Sequence, residues 1–251
     1  MSSTTGPTEW RVAVVVPTYN EAENVGALAG RVLAADPRLE LLIVDDASPD
    51  GTGEVGDAIA EREPRFHVLH RTGPRGYAPS SQEGLDWALD RDYDVVCTMD
   101  GDLSHDPARI PAMLARVERG AGVVIGSRYV PGGGLEVDWS PWRREVSRLG
   151  SAYARLMIGT PVRDCTSGYR CYSAASLRAI RLDSIHSAGY SFLIQMLARL
   201  VAAGVRIEEE PMTYIDRQKG RSKMSGVIVV EALAETTLLG IARPWRRKAS
   251  A

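Results

Sequence analysis

Cysteine is scarce in this chain. Cys97, Cys165 and Cys171 are the only three, an odd number with no close pair, which excludes a zinc ribbon and a dithiol redox motif. The same scarcity predicts reduced thiols, as in a protein of the cytosol. Long apolar runs are missing as well: no stretch reaches the ~18–20 uninterrupted apolar residues that cross a bilayer. Residues 1–9 are polar and lack the basic-then-apolar order of a signal peptide, so they read as a disordered lead-in. Charge of one sign is also in short supply. A net charge of −2 excludes nucleic acid as a bulk electrostatic partner. The chain has no internal repeat and no low-complexity segment.

What is present is ordinary globular material. With 251 residues, 44% apolar and 25% charged, the chain can bury a sizeable core. Short valine-rich runs alternate with helical spacing. Strands are predicted at Arg11–Pro17, Leu39–Asp45, Phe66–His70, Asp94–Asp100 and Gly122–Gly126. Helices are predicted between them, at Glu21–Ala35, Thr52–Arg62, Ser80–Leu89 and Pro107–Arg119. That alternation predicts an α/β fold, a mainly parallel sheet with helices on both faces. Beyond it, Pro131–Gly134 reads as a flexible loop, Trp139–Ile158 as an amphipathic helix and Asp164–Tyr172 as a polar turn entering a strand. Phe192–Ala203 reads as a helix, Val205–Glu210 as a strand and Gly226–Ala242 as a last helix. The expected organisation is one catalytic domain over residues 10–222, a C-terminal amphipathic helix over 223–243 and a basic tail over 244–251.

Polar clusters stand where buried strands end, which in open parallel sheets is where ligands bind. Asp100 and Asp102 are two apart, so in extended chain both carboxylates face one side, and Gly101 between them lets a ligand approach. Two like charges this close repel unless a cation shares them. A hard, oxygen-seeking Mg²⁺ or Mn²⁺ that also bridges a diphosphate answers that need; a solvated acidic turn is the bland alternative. Asp45 and Asp46 suit hydrogen bonds from ribose or base, or simply cap a turn.

Taken in order, the motifs carry a resemblance. Val16-Pro17-Thr18-Tyr19-Asn20-Glu21, Val44-Asp45-Asp46-Ala47-Ser48-Pro49-Asp50-Gly51-Thr52, Met99-Asp100-Gly101-Asp102-Leu103-Ser104-His105-Asp106-Pro107 and Gly126-Ser127-Arg128-Tyr129 resemble family 2 glycosyltransferases. More narrowly they resemble the dolichol- or polyprenol-phosphate mannose synthases. Asp164-Cys165-Thr166-Ser167-Gly168-Tyr169-Arg170-Cys171-Tyr172, Gly189-Tyr190-Ser191-Phe192 and Asp216-Arg217-Gln218-Lys219-Gly220-Arg221-Ser222-Lys223 continue the match, from about Trp10 to about Ala242. The resemblance implies a GT-A fold, GDP-mannose as donor and a polyprenyl phosphate as acceptor. By position it implies nucleoside contacts from Pro17, Tyr19, Glu21 and Asp45, with Asp46 beside them. It implies metal and diphosphate contacts from Asp100 and Asp102, with Ser104 where some relatives carry a glutamine ligand, and phosphate contacts from Arg128 and Arg217. One segment departs: Arg75-Gly76-Tyr77-Ala78-Pro79-Ser80-Ser81 stands where relatives often have Gly-Leu-Gly.

An inverting, in-line transfer is the mechanism so implied. A phosphate acceptor is already anionic near neutral pH and needs cations rather than a base. Arg217, Lys219, Arg221 and Lys223 supply four in one loop, and Asp164 is the single candidate for a base if the acceptor is a hydroxyl. The lipid would come from a membrane surface. The Trp139–Ile158 helix and the last helix, followed by Arg243, Trp245, Arg246, Arg247 and Lys248, look like interfacial anchors, or else they cover the sheet or a dimer contact. Peripheral attachment to the cytoplasmic face, with or without a separate anchor protein, is the expectation. Two other readings stay open: another donor, UDP-glucose or UDP-N-acetylglucosamine, or a hydroxyl acceptor; and a nucleotide-binding protein without catalysis. Against a nucleotidyltransferase stands the Pro17–Glu21 loop, which has neither the glycine nor the lysine of a phosphate loop.

Overall fold

The computed structural model describes residues 10–137, 140–185, 189–215 and 226–242. Five predicted strands appear as β1 (Val12–Thr18), β2 (Leu39–Asp45), β3 (Phe66–His70), β4 (Val95–Thr98) and β5 (Val123–Ser127). They alternate with α1 (Ala22–Ala35), α2 (Thr52–Ala60), α3 (Tyr77–Leu89) and α4 (Ile110–Glu118). A 3-10 turn at Pro107–Arg109 takes the start of the helix predicted from Pro107, and Asp106 caps it by accepting from the Ala108 N–H at 3.2 Å.

The second half adds β6 (Gly134–Glu136), α5 (Pro141–Ile158), β7 (Arg170–Ser173), α6 (Ala174–Arg178), α7 (Gly189–Ala202), β8 (Ile207–Pro211), β9 (Thr213–Ile215) and α8 (Gly226–Ala242). The main sheet runs β3-β2-β1-β4-β7-β5-β8. All its neighbours are parallel except β7, which lies antiparallel between β4 and β5. Gly134, expected in a flexible loop, instead opens a small parallel ladder between β6 and β9.

The valine run of β1 is buried on both faces, as a central parallel strand must be. One core packs α1, α2 and α4 against the sheet; the other packs α3, α7 and the inner face of α5. Each buried Val or Leu of these strands contributes ~1.5–3 kcal/mol on transfer from water. α8 packs along α5 and α7. Tyr153 and Thr237 share a hydroxyl contact at 2.6 Å, and Gly240 lies against Met157, so α5 and α8 run side by side in the same direction.

The cysteine expectation needs correcting. Cys97 on β4 and Cys171 on β7 are directly opposite in the antiparallel ladder and form a disulfide. Only Cys165 is a free thiol, and it is buried. A spacing of 74 residues hides such a pair in the sequence, because β7's antiparallel insertion beside β4 is what makes the two cysteines neighbours.

Candidate active site

The site is built where β1, β2 and β4 end. Asn20 (φ 57°), Ala47 (φ 54°) and Leu103 (φ 64°) adopt left-handed backbone just after these three strands. Non-glycine residues avoid that region at a cost of roughly 1–2 kcal/mol each, and such strain clusters where a loop is shaped for a ligand. The loops are tied to one another. The Asn20 N–H donates to Ser48 Oγ at 3.0 Å and the Glu21 N–H to Thr52 Oγ1 at 2.9 Å. Asp50 accepts from Ala22 N at 3.1 Å and Thr52 N at 3.0 Å, satisfying amides at the starts of both α1 and α2.

Asp45 and Asp46 part company here. Asp45 is 5% exposed; its Oδ2 accepts weakly from Ser48 N at 3.4 Å, and its Oδ1 has no partner in the fold. A buried carboxylate oxygen left unpaired costs ~1–3 kcal/mol or more, so a ligand hydroxyl or N–H fits it. Asp46 is spoken for. It pairs with the buried Arg71 guanidinium and accepts from the Gly76 N–H at 2.7 Å. Burial opposes the Arg71 charge, but Glu83 and Asp46 hold its pKa above the ordinary value. The pair therefore pins the 71–76 loop rather than offering a free carboxylate to a nucleoside. From that loop Arg75 reaches over Tyr19, 4.9 Å from its ring, and donates to the Tyr19 hydroxyl at 3.0 Å and the Ala47 carbonyl at 3.1 Å.

Asp100 and Asp102 stand at the end of β4, with Asp102 2% exposed and the Asp100 side chain 37% exposed. The Asp100 N–H donates to His105 Nδ1 at 3.1 Å, which leaves the proton of a neutral His105 on Nε2, 3.9 Å from Asp100 Oδ2. Ser104 is fully buried and donates both its N–H (3.1 Å) and its hydroxyl (2.5 Å) to Asp102 Oδ1. Both bonds orient that carboxylate. Among the described residues no three His, Cys, Asp or Glu side chains form a metal cluster. Two carboxylates on one loop nevertheless fit Mg²⁺ or Mn²⁺, hard cations that take much of their coordination from phosphate and water oxygens. The space beside Asp100 is tight: a Cβ on Gly168 would lie 3.4 Å from Asp100 Oδ1 and 2.9 Å from the Tyr77 hydroxyl. Thr98 fixes this glycine by donating to its carbonyl at 2.7 Å.

Arg128 follows β5 and is held by Asp164. Its Nε donates to Oδ2 and its Nη2 to Oδ1, both at 2.7 Å, and its N–H adds a third bond at 3.0 Å. Burial raises the Asp164 carboxyl, yet the Arg128 charge and bonds outweigh it, and the pKa falls below the usual carboxylate range. A fully bonded carboxylate of lowered pKa is a poor base; Asp164 positions Arg128. Glu209 on β8 in turn accepts from the Arg163 and Asp164 N–H groups at 2.9 and 3.0 Å.

An aromatic shell joins the two halves. His105 stacks on Tyr169 (5.0 Å) and meets Tyr214 edge-on (5.7 Å), and Tyr214 lies 5.8 Å from the Arg128 guanidinium. Ile215 ends β9 by donating its N–H to the Ser104 carbonyl at 3.2 Å. The basic residues Arg217, Lys219, Arg221 and Lys223 begin two positions later and lie outside the described residues.

Arg71, Arg75, His105 and Arg170 are site residues that sequence reasoning missed. Arg170 is fully buried and gives hydrogen bonds to the carbonyls of Ser167, Leu193 and Cys165, bracing the 165–169 turn. A charged residue inside a strand-like apolar run was its one available signal.

Sheet order and the antiparallel β7 define a GT-A-like α/β architecture. The chain belongs to glycosyl transferase family 2, whose model matches residues 13–181. It is 47% identical over 235 residues to the undecaprenyl-phosphate mannosyltransferase of Micrococcus luteus, covering 94% of this chain and 96% of that one. It is 43% identical over 241 residues to the polyprenol monophosphomannose synthase of Mycolicibacterium smegmatis, covering 95% and 90%. Among solved structures it resembles glucosyl-3-phosphoglycerate synthase from Mycobacterium tuberculosis in complex with Mn²⁺, UDP and glucosyl-3-phosphoglycerate. That match has a TM-score of 0.65 at 17% identity, over 97% of this chain and 86% of that one. At such identity it shows the shared fold.

Proposed function

We propose that this chain transfers mannose from GDP-mannose to a polyprenyl monophosphate with inversion, yielding polyprenyl-phosphate mannose. The observation that carries this is the near full-length match to mannosyltransferases at 47% and 43% identity. The nucleoside would lie against Pro17, Tyr19, Glu21 and Asp45, where the unpaired Asp45 oxygen awaits a donor. Asp100 and Asp102 would hold Mg²⁺ or Mn²⁺, which when bound offsets charge on the leaving diphosphate. Arg128 would add a fixed positive charge to the same phosphates, pre-oriented by Asp164. The acceptor phosphate oxygen attacks the anomeric carbon in line, and the bond to the diphosphate breaks. No base is needed, because that oxygen is already anionic, which agrees with Asp164 being fully engaged. Arg217, Lys219, Arg221 and Lys223, which follow Ile215 in the sequence, would hold the acceptor.

The acceptor's lipid tail calls for a membrane surface. No helix among the described residues is long and apolar enough to cross one. α5 instead exposes Trp142 (75%), Leu149 (61%) and Leu156 (68%), spaced seven apart on one stripe, and α8 exposes Leu238 and Ile241. With Arg143, Arg148 and Arg155 alongside, that is the composition of a helix lying in a lipid interface.

The test is a donor–acceptor matrix. GDP-mannose, UDP-glucose and UDP-N-acetylglucosamine are each offered with and without a short polyprenyl phosphate, with metal omitted and then restored. Mannosyl transfer that requires GDP-mannose, polyprenyl phosphate and divalent metal is expected. Preferential turnover of a UDP-sugar, or equal turnover onto a plain hydroxyl, overturns the reading.

A further inference from the structure

Arg128 is connected to the apolar-faced helix α5 by two short routes. Along the first, Arg128 Nη2 donates to Thr166 Oγ1 at 3.0 Å, and Thr166 Oγ1 lies 3.1 Å from Ser151 Oγ of α5. Along the second, the Arg128 guanidinium sits 5.1 Å from the Tyr129 ring centre, and the Tyr129 hydroxyl lies 2.8 Å from Ser147 Oγ, also of α5. Ser147 and Ser151 are four residues apart and so occupy one face of the helix. At about 100° per residue, Ser151 stands roughly opposite the stripe of Trp142, Leu149 and Leu156.

The first half of α5 is less buried than its second half. Its buried residues are Ser151, Ala154 and Ile158, so nothing from Pro141 to Gly150 is buried. Polar contacts from that stretch to the body include the Tyr129–Ser147 bond, and Arg144 Nη2 donating to the Val137 carbonyl at 2.6 Å. Where a helix end with no buried residue takes more than one tilt, an apolar surface that fixes its outer face selects among them.

We infer that Ser147 and Ser151 are positioning residues that transmit the seating of α5 on a lipid surface to the phosphate-binding Arg128, so that the donor site is completed at the membrane. This rests on the interfacial reading of α5 given above. When the outer stripe sits in lipid, the two serines hold Tyr129 and Thr166, and these fix the guanidinium against Asp164. Off the membrane the same bonds form only part of the time, and Arg128 meets the donor diphosphate less well. The device would keep a costly sugar donor from being spent away from the acceptor's surface.

The experiment uses the full chain, a water-soluble short-chain prenyl phosphate as acceptor, and acceptor-free vesicles of phosphatidylglycerol and phosphatidylcholine. Three quantities are read: co-sedimentation with vesicles, kcat and KM for GDP-mannose, and calorimetric affinity for GDP with and without vesicles. For the unmodified chain, vesicles should raise kcat/KM and GDP affinity on the order of fivefold, the weight of about one hydrogen bond. The S147A/S151A double variant should still co-sediment but lose the stimulation. S147T/S151T, which retains both hydroxyls, should regain it. If the double variant melts early, the S147A and S151A single variants carry the same comparison, each with partial loss. Stimulation of the double variant equal to the unmodified chain overturns the inference. So does an unmodified chain that binds vesicles with no change in GDP affinity or turnover. A chain that does not bind vesicles removes the interfacial reading and this inference with it, while failure of mannose transfer alone leaves the GDP comparison to decide.

Discussion

Arg128 and Asp164 meet in a two-pronged buried ion pair, Nε to Oδ2 and Nη2 to Oδ1 at 2.7 Å each, with the Arg128 backbone N–H as a third bond. The side chains are 9% and 0% exposed. Removing one partner of such a pair strands the other charge, at ~3–5 kcal/mol. Asp164→Asn should therefore lower stability at pH 7 by that order, read by chemical denaturation. It should also cut turnover, because Arg128 loses its orientation.

The same pair sets an acid limit. The Asp164 carboxyl is held below its ordinary range by Arg128 against the opposing effect of burial. A depressed carboxylate contributes stability above the unfolded pKa of about 3.9, and that contribution fades as pH falls through the lower folded value. Denaturation midpoints of the unmodified chain should fall steeply below about pH 4, and those of Asp164→Asn should fall less over the same window. Parallel curves for the two proteins would show that Asp164 is not a contributor.

Asp102 and Ser104 should separate cleanly. Asp102→Ala removes a proposed metal ligand, and turnover should drop by about 10²–10³-fold or more. Ser104→Ala removes only the hydroxyl that orients the carboxylate at 2.5 Å. A hydrogen bond to a charged group is worth roughly 1.5–3 kcal/mol, so a weaker response to added Mn²⁺ is expected, with turnover restored at high metal. If Ser104→Ala is as dead as Asp102→Ala at saturating Mn²⁺, Ser104 is a ligand after all.

The reach of the sequence can be judged from these residues. β1 to β5 were legible because parallel strands buried on both faces read as short valine-rich runs, and their ends placed Asp45, Asp100 and Asp102 at one edge. What stayed hidden is set by tertiary neighbours. Nothing local tells that Asp46 is bonded to Arg71 while Asp45 keeps an open oxygen, since the two are adjacent at the end of β2. Nothing local brings Cys97 to Cys171, or turns Ser104 toward Asp102. β6 and β9 are three residues each, too short for a period-two pattern to register.

Arg75 carries a prediction about the donor. It ties Tyr19 on the first loop to the Ala47 carbonyl on the second, at 3.0 and 3.1 Å. A cation over a partly exposed ring gives ~0.5–1 kcal/mol and a hydrogen bond about 1 kcal/mol. Arg75→Ala should raise KM for the donor roughly three- to tenfold and leave kcat nearly unchanged, the pattern of lost uniform binding. An unchanged KM would mean that the two loops keep their shape without it.

The outer stripe of α5 decides between lipid and self-contact. Trp142, Leu149 and Leu156 are 75%, 61% and 68% exposed, so replacing them with serine removes little packing in the folded chain. Thermal stability of the triple variant should stay within about 0.5 kcal/mol per site. Each apolar side chain inserted in lipid is worth ~1.5–3 kcal/mol, so vesicle binding should weaken by more than about 100-fold. Arginines near the surface add about 1 kcal/mol each toward anionic headgroups, which makes the binding of the unmodified chain salt-sensitive. Sedimentation with anionic vesicles at low and high salt checks both points. If the triple variant binds vesicles as before but changes its oligomeric state by light scattering, the stripe is a contact between copies, and the lipid surface must be met elsewhere.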